Sequence, residues 1–176
     1  PKAIIALRTD LDAVHFSKSQ RRNLRRNSDL TVKIQPVIID ETKKELFERH
    51  RQRFDENIPP DIYTFVSAEE PDQTPCPCLE VGVYHPDGRL LAVSFMDVGA
   101  NAISSVYALF DPHESKRGLG IYTMLLEIQW AQRHHKKYYY TGYTSTAASR
   151  YDYKKSFHAL QSFDFVTNWQ PFPRQT

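Results

Sequence analysis

Residues 79–110 constrain the fold more than any other stretch of the chain. Residues 79–85 and 89–98 are runs rich in valine, leucine and aromatics, joined by Pro86-Asp87-Gly88, a strong hairpin signal. Gly99-Ala100-Asn101 then turns the chain into a third run, 102–110. Three strands on two tight turns form an antiparallel meander, because parallel neighbours need a long crossover. Beyond Asp111-Pro112 comes Ser115-Lys116-Arg117-Gly118-Leu119-Gly120-Ile121-Tyr122, then a helical pattern over 119–134. Ile121, Met124, Leu125 and Ile128 fall at core spacing there, and Thr123 and Glu127 on the other face. A strand, a short glycine loop and a helix in that order form an anion cradle. The helix start offers unpaired N–H groups and the positive end of its dipole. Gly118 and Gly120 let backbone approach a ligand closely, and Arg117 can add a charge-assisted contact to phosphate.

The flanking segments complete an α+β pattern. Residues 30–39 read as a strand, with Pro36 arguing for an edge position or a break. Asp40 can cap a helix over 41–54, with acids in its first turn and Arg49, Arg51 and Arg53 in its last. Residues 60–66 are expected as a short helix or an extended piece. A very aromatic strand follows the long helix at 136–144, then a basic segment at 151–155, and 163–165 with Trp169 suggest a closing strand. Two divisions are expected: an arm, 1–30, carrying a short apolar stretch and a basic helix, and a main domain, 31–176.

Composition narrows the partners. At 176 residues, with 40% hydrophobic and 12% aromatic residues, the chain has the makings of one globular domain rather than a disordered tail. No run approaches the ~20 apolar residues of a membrane helix, so no membrane partner is expected, and the start lacks a signal-peptide pattern. Cys76 and Cys78 flank one proline, where a bridge would be strained, so a reducing, cytoplasmic setting is expected. A lone C-x-C supplies two of the four ligands zinc wants, and no metal is expected. The net charge is only +2, yet Lys18, Arg21, Arg22, Arg25 and Arg26 put five cations in nine residues with no acid among them. Ser17 can cap a helix there with Leu24 on its apolar face. Like charges at i,i+4 destabilise that helix. Such a row suits a polyanion such as nucleic-acid phosphate; the alternative is a solvated face paired with acids from elsewhere.

The order of elements resembles the GCN5-related N-acyltransferase fold, a mixed, mostly antiparallel sheet flanked by helices. That resemblance implies that the cradle loop holds the phosphates of an acyl donor. It also implies that the last meander strand and the strand after the cradle helix splay apart to admit it. Residues 117–122 resemble the fold's Q/R-x-x-G-x-G/A loop, with Tyr122 in place of the small residue; its bulk would crowd the pantetheine arm of coenzyme A. A closer resemblance rests on three segments. Phe16-Ser17-Lys18-Ser19-Gln20-Arg21-Arg22-Asn23-Leu24-Arg25-Arg26-Asn27 is similar to S-x-S-Q-R-R-x-x-R-R-N. Ser104-Ser105-Val106-Tyr107-Ala108-Leu109-Phe110-Asp111-Pro112 through Gly120 is similar to S-x-V-Y-x-F-Y-D-P followed by R-S-L-G. Tyr138-Tyr139-Tyr140-Thr141-Gly142-Tyr143 with Asp152-Tyr153-Lys154-Lys155-Ser156-Phe157 is similar to Y-Y-Y-L-G-Y-W and D-Y-K-x-x-F. Together they resemble the aminoacyl-tRNA–protein transferases, the arginyl- and leucyl-transferases of the N-degron pathway, over most of residues 16–160.

The resemblance implies transfer of an amino acid from charged tRNA to an amine, a protein N-terminus or a smaller molecule, with no cofactor. Gly118, Leu119 and Gly120, with Arg117, would hold the terminal tRNA phosphates, and Lys154 another. The row Lys18, Arg21, Arg22, Arg25 and Arg26 would hold the acceptor stem. Tyr107, Tyr139 and Tyr140 would stack the terminal adenine or enclose the amino-acid side chain. Asp152 is the candidate for binding an ammonium or moving a proton, and Tyr143 the second. Competing assignments are that half of the aromatic strand is core and that Asp152 caps a turn at Tyr153. Two departures stand out: family members open with a cysteine-bearing domain that would lie mostly before residue 1, and their W-I-P-G-x-x-K-M is Thr144-Ser145-Thr146-Ala147-Ala148-Ser149-Arg150-Tyr151 here. They leave two other readings open, an acyl-CoA-dependent N-acyltransferase and a non-catalytic tRNA-binding relative. The amino acid moved, the acceptor and the oligomeric state are not written in the sequence.

Overall fold

A computed structural model describes residues 3–150, 152–166 and 168–176. Tyr151, which opens the expected basic segment, lies outside them. In chain order the elements are β1 (Ile4–Asp10), α1 (Lys18–Arg26), β2 (Thr31–Pro36), α2 (Glu41–Arg51), β3 (Cys78–Tyr84), β4 (Leu90–Val98), β5 (Ala102–Phe110), α3 (Leu119–Arg133), β6 (Tyr138–Ser145), β7 (Leu160–Phe163) and β8 (Trp169–Pro171). Short 3-10 turns occupy Ile62–Thr64, Pro112–Arg117 and Asp152–Ser156. The eight strands form one sheet in the order β2-β3-β4-β5-β6-β1-β7-β8, antiparallel throughout except for β5 beside β6.

The meander β3-β4-β5 follows from its turns. Pro36 ends β2, the edge strand, where its missing N–H costs no ladder bond. The helix expected over 41–54 stops at Arg51. Within residues 1–30, set apart above as an arm, β1 pairs with β6 on one side and β7 on the other, burying Leu7 and Thr9. The closing strand is a hairpin, β7-β8, rather than a single piece around 163–165.

Alternation along β4 divides the core. Val93 and Phe95 pack with Leu46 and Phe47 of α2 on one face. Met96 packs with Leu125 and Ile128 of α3 on the other, and α1 lies against α3 on that side. Burying each of these large side chains stabilises the fold by about 1.5–3 kcal/mol. The start of α2 is fixed by a buried ion pair, Lys43 to Glu80 of β3 at 2.9 Å. Thr123 and Glu127, assigned above to an outward face, are fully buried. The reason is that α3 is covered by the sheet and by α1, which leaves it little outward surface.

Candidate active site

The parallel pairing of β5 with β6 covers only Ala102 with Tyr138, Ile103 with Tyr139 and Ser104 with Tyr140. Just past that point both strands carry an extra residue against their other neighbours. On β5, Phe95 faces Tyr107 and Met96 faces Ser105, so Val106 is the extra residue. On β6, Leu7 faces Gly142 and Arg8 faces Tyr140, so Thr141 is the extra residue. A bulge bends its strand and breaks the ladder. Paired bulges therefore open the sheet into a V, with Gly142 at φ 90° absorbing the bend on β6.

The cradle lies next to this opening and is held by α1. Gly118 precedes α3 at φ 63°, ψ 47°, a left-handed conformation; a Cβ there would sit 2.8 Å from the side-chain nitrogen of Asn23. Asn23 Nδ2 donates to Gly118 O at 3.0 Å, Asn27 Nδ2 to Arg117 O at 2.9 Å, and Arg26 to Lys116 O at 3.1 Å. With their carbonyls held from α1, the loop residues lead into α3, whose first-turn N–H groups at Leu119, Gly120 and Ile121 have no backbone partner among the described residues. Two expectations fail here. The Arg117 guanidinium is committed within the protein, bidentate to Asp29 at 2.9 and 3.0 Å and to Glu114 at 3.1 Å, so its charge steadies the loop. Tyr122 is buried among Leu30, Leu91 and Leu119, so its bulk obstructs nothing above the loop and does not bear on coenzyme A.

Lys18, Arg21, Arg22, Arg25 and Arg26 are all exposed, and none forms an ion pair among the described residues. The buried side of α1 is polar instead: Gln20, in a capping box with Ser17, then Asn23 and Asn27. The helix thus faces the cradle with Asn23, Asn27 and one N–H of Arg26, and presents its other cations outward.

The three tyrosines expected to share one pocket separate. Tyr107, half-buried on β5, faces α2: Phe65 stacks on it at 3.7 Å, and its hydroxyl lies 3.0 Å from His50 Nε2. The Phe110 N–H donates to His50 Nδ1 at 3.1 Å, closer than the Phe110 carbonyl at 3.3 Å; assigning Nδ1 as the acceptor on that ground puts the ring proton on Nε2 and makes that nitrogen a donor to Tyr107. Burial, reinforced by the Arg53 charge, lowers the His50 pKa to about 4, so the ring is neutral. Tyr139 points the other way and is 0% exposed; its hydroxyl donates to Glu127 Oε1 at 2.7 Å. Ser94 Oγ lies 3.4 Å from the second oxygen, and Ser105 also hydrogen-bonds this carboxyl. Burial raises Glu127 to about 8, so it is protonated at neutral pH. Tyr140 joins a third group, where the Arg8 guanidinium stacks 3.7 Å from the Tyr138 ring and 4.3 Å from Trp169 and donates to the Tyr140 hydroxyl at 3.3 Å. Tyr139 is therefore core, Tyr140 belongs to an aromatic cluster around Arg8, and only Tyr107 stands beside the opening.

The candidates after β6 are tied up too. Asp152 accepts from Lys155 Nζ at 2.8 Å and from Ser149 N at 3.1 Å, and these partners hold its carboxyl below the usual range. It closes the turn that begins at Ser149, and a carboxylate so neutralised is a poor base. Lys154 folds onto β6 and donates to Tyr143 O at 3.2 Å, with burial lowering its pKa. Tyr143 is 65% exposed. His50, Asn23, Asn27 and Glu127 had not been singled out for these roles. His50, one turn after Leu46 and Phe47 on α2, and Asn23, beside Leu24 on α1, are polar residues at core-facing positions, which was the available signal; Asn27 caps α1, and nothing in the period of α3 marked Glu127.

Comparison with known proteins gives a family and a fold. The family model described as "Arginine-tRNA-protein transferase, C terminus" matches residues 42–164. An aspartate/glutamate leucyltransferase of Xanthomonas campestris pv. campestris (strain B100) is 34% identical over 181 residues, which span 98% of this chain and 70% of that protein. One of Hahella chejuensis is 29% identical over 162 residues, 90% and 68% of the two chains. Among solved structures, L-PGS from Bacillus licheniformis superposes with a TM-score of 0.63 at 12% identity, over 86% of this chain and 49% of its own. FemX gives 0.60 at 11%, over 84% and 55%. At these identities the structural likeness is one of fold.

Proposed function

The chain belongs to the arginine-tRNA-protein transferase family and is an aminoacyl-tRNA-dependent transferase; on that premise we propose that it moves leucine from leucyl-tRNA to the α-amine of proteins beginning with Asp or Glu. Leucine, and the acidic acceptor, are favoured over arginine by the names of the two relatives compared above, both aspartate/glutamate leucyltransferases.

The observation that carries the tRNA donor is the row on α1. Five exposed cations without ion pairs stand on a helix whose amides grip the cradle loop. A polyanion along α1 would deliver its end to the first-turn N–H groups of α3 and so to the opening between β5 and β6. Aminoacyl transfer needs little more than placement. The amine nitrogen attacks the ester carbonyl carbon, the C–N bond forms, the bond to the ribose oxygen breaks, and that oxygen leaves with a proton. A terminal amine has a pKa near 8, so roughly a quarter of it is free at pH 7.5 without a strong base. This accords with Asp152 being engaged elsewhere. Tyr107, its phenol oriented by the His50 N–H, is the group we assign to the developing oxyanion.

The test uses purified protein, tRNA charged with labelled leucine or arginine, and peptides beginning with Glu. Leucine should pass to peptide, and Arg22→Ala with Arg25→Ala should weaken tRNA binding and lower its salt dependence. Transfer from acetyl-CoA with no response to tRNA would overturn the reading.

A further inference from the structure

A cavity of about 350 Å³ opens between the end of α2 and the start of the 3-10 turn after β5, lined by Arg49, Gln52, Arg53, Pro112 and His113. Its walls are cationic and under-used. Arg49 Nε is buried without a hydrogen-bond partner; its nearest acid, Asp111, is 3.6 Å away, in ion-pair but not hydrogen-bond range. The Arg53 guanidinium stacks on the Phe110 ring at 4.3 Å and forms no ion pair among the described residues. An arginine packed flat on a ring keeps its N–H edge for a planar anion. Phe110 is the last residue of β5, and His50, between Arg49 and Arg53 on α2, touches both Phe110 and Tyr107. The cavity therefore starts about one helical turn from the group facing the opening.

We propose that this cavity receives the acidic side chain of the acceptor's first residue, with Arg53 and Arg49 as the residues that set acceptor specificity. The inference rests on the transferase reading above and names the residues behind its acceptor preference. A carboxylate suits the site better than an RNA phosphate on two grounds. The cavity lies on the α2 face of the sheet, whereas the unpaired cations of α1 lie on the α3 face, so donor and acceptor reach the opening from opposite sides. Asp111, paired with Arg49 in the same wall, leaves enough net positive charge for a singly charged group and repels a more highly charged one. Gln52 and His113 complete the lining.

Two peptides differing only in their first residue, Glu or Gln, test this. The wild-type protein should favour the Glu peptide. Arg53→Ala should lower kcat/KM for the Glu peptide about 10- to 100-fold, the worth of a hydrogen-bonded charge, and leave the Gln peptide and tRNA affinity unchanged. Arg53→Glu should turn the preference toward peptides beginning with Lys. Equal losses for both peptides, or weaker tRNA binding with unaltered peptide preference, would overturn the proposal. If the wild-type protein transfers nothing, the transferase reading fails on its own; calorimetric binding of the two peptides to wild type and Arg53→Ala still decides the cavity, since equal affinities would refute it. Arg53 is exposed, and a melting curve confirms that its variants fold.

Discussion

Two tyrosines, Tyr107 and Tyr139, stand on adjacent strands at the same fork of the sheet, each hydrogen-bonded to a titratable side chain on a helix. They face opposite ways. Tyr107 meets a neutral histidine and stays half open; Tyr139 meets a protonated carboxyl and is sealed. Like chemistry thus yields different things on the two faces. On the α3 face the pair staples helix to sheet below the fork, where water cannot reach. On the α2 face the pair leaves Tyr107 half-buried, its hydroxyl on His50 and its ring stacked on Phe65. Burial, not residue type, separates the sealed tyrosine from the one assigned above to the oxyanion.

The contrast is sharpest in its response to pH. Glu127 has a folded pKa of about 8 against an ordinary value of 4.5, so between those limits the folded state holds a proton that the unfolded chain has lost. Its contribution is full below pH 4.5 and is lost as pH rises toward 8, by on the order of 5 kcal/mol. His50 works in the opposite sense: its pKa of about 4 lies below the ordinary 6.5, so its contribution is full above pH 6.5 and fades as pH falls toward 4. Urea melts from pH 4 to 9 should show a loss between pH 6.5 and 8, where Glu127 acts alone, and little net slope between 4.5 and 6.5, where the two contributions offset; Glu127→Gln should remove the loss and uncover the rise from pH 4 to 6.5 that belongs to His50. A Glu127→Gln protein with an unchanged loss between pH 6.5 and 8 would refute a protonated Glu127.

Next in size is a separation of activity from stability. Tyr107→Phe should lower kcat about 100-fold with little change in melting temperature, as expected when one oxyanion donor is removed. Tyr139→Phe should do the reverse, costing about 1–3 kcal/mol by leaving the Glu127 oxygen unpaired, with kcat intact in the molecules that remain folded. If both variants lose activity in equal measure, the two faces are not functionally distinct. A smaller effect is expected from Gly118→Ala, which places a methyl against Asn23 and a left-handed residue under strain, costing about 1–2 kcal/mol and loosening tRNA binding while leaving both tyrosine pairs alone. The smallest is Arg22→Ala: stability unchanged, and the slope of log binding constant against log salt reduced by about 1.

The parts of the fold that the sequence announced are those written in neighbouring residues. Pro86-Asp87-Gly88, the spacing of Met124, Leu125 and Ile128, and Gly118 before a helix are local signals, and the meander, α3 and the cradle stand where they point. The candidate site was less legible because its partners are distant in the chain. Arg117 looked like a free cation until Asp29, 88 residues away, came to meet it. His50 acquires its meaning from Tyr107, 57 residues on. The period of α3 gave Glu127 to solvent because periodicity cannot foresee a second layer, and only Tyr139 explains why a carboxyl there is tolerated. The resemblance carried the family across this gap; it could not say which tyrosine is core.

The three carbonyls that α1 grips have one more consequence. A helix of nine residues is too short to persist alone, and neighbouring like charges push this one apart. Its cationic row therefore exists as a row only after the chain has closed the loop at Lys116–Gly118. On the tRNA-binding role proposed for this row, affinity for RNA becomes a readout of completed folding: a chain that has not closed the loop holds the same arginines in disarray.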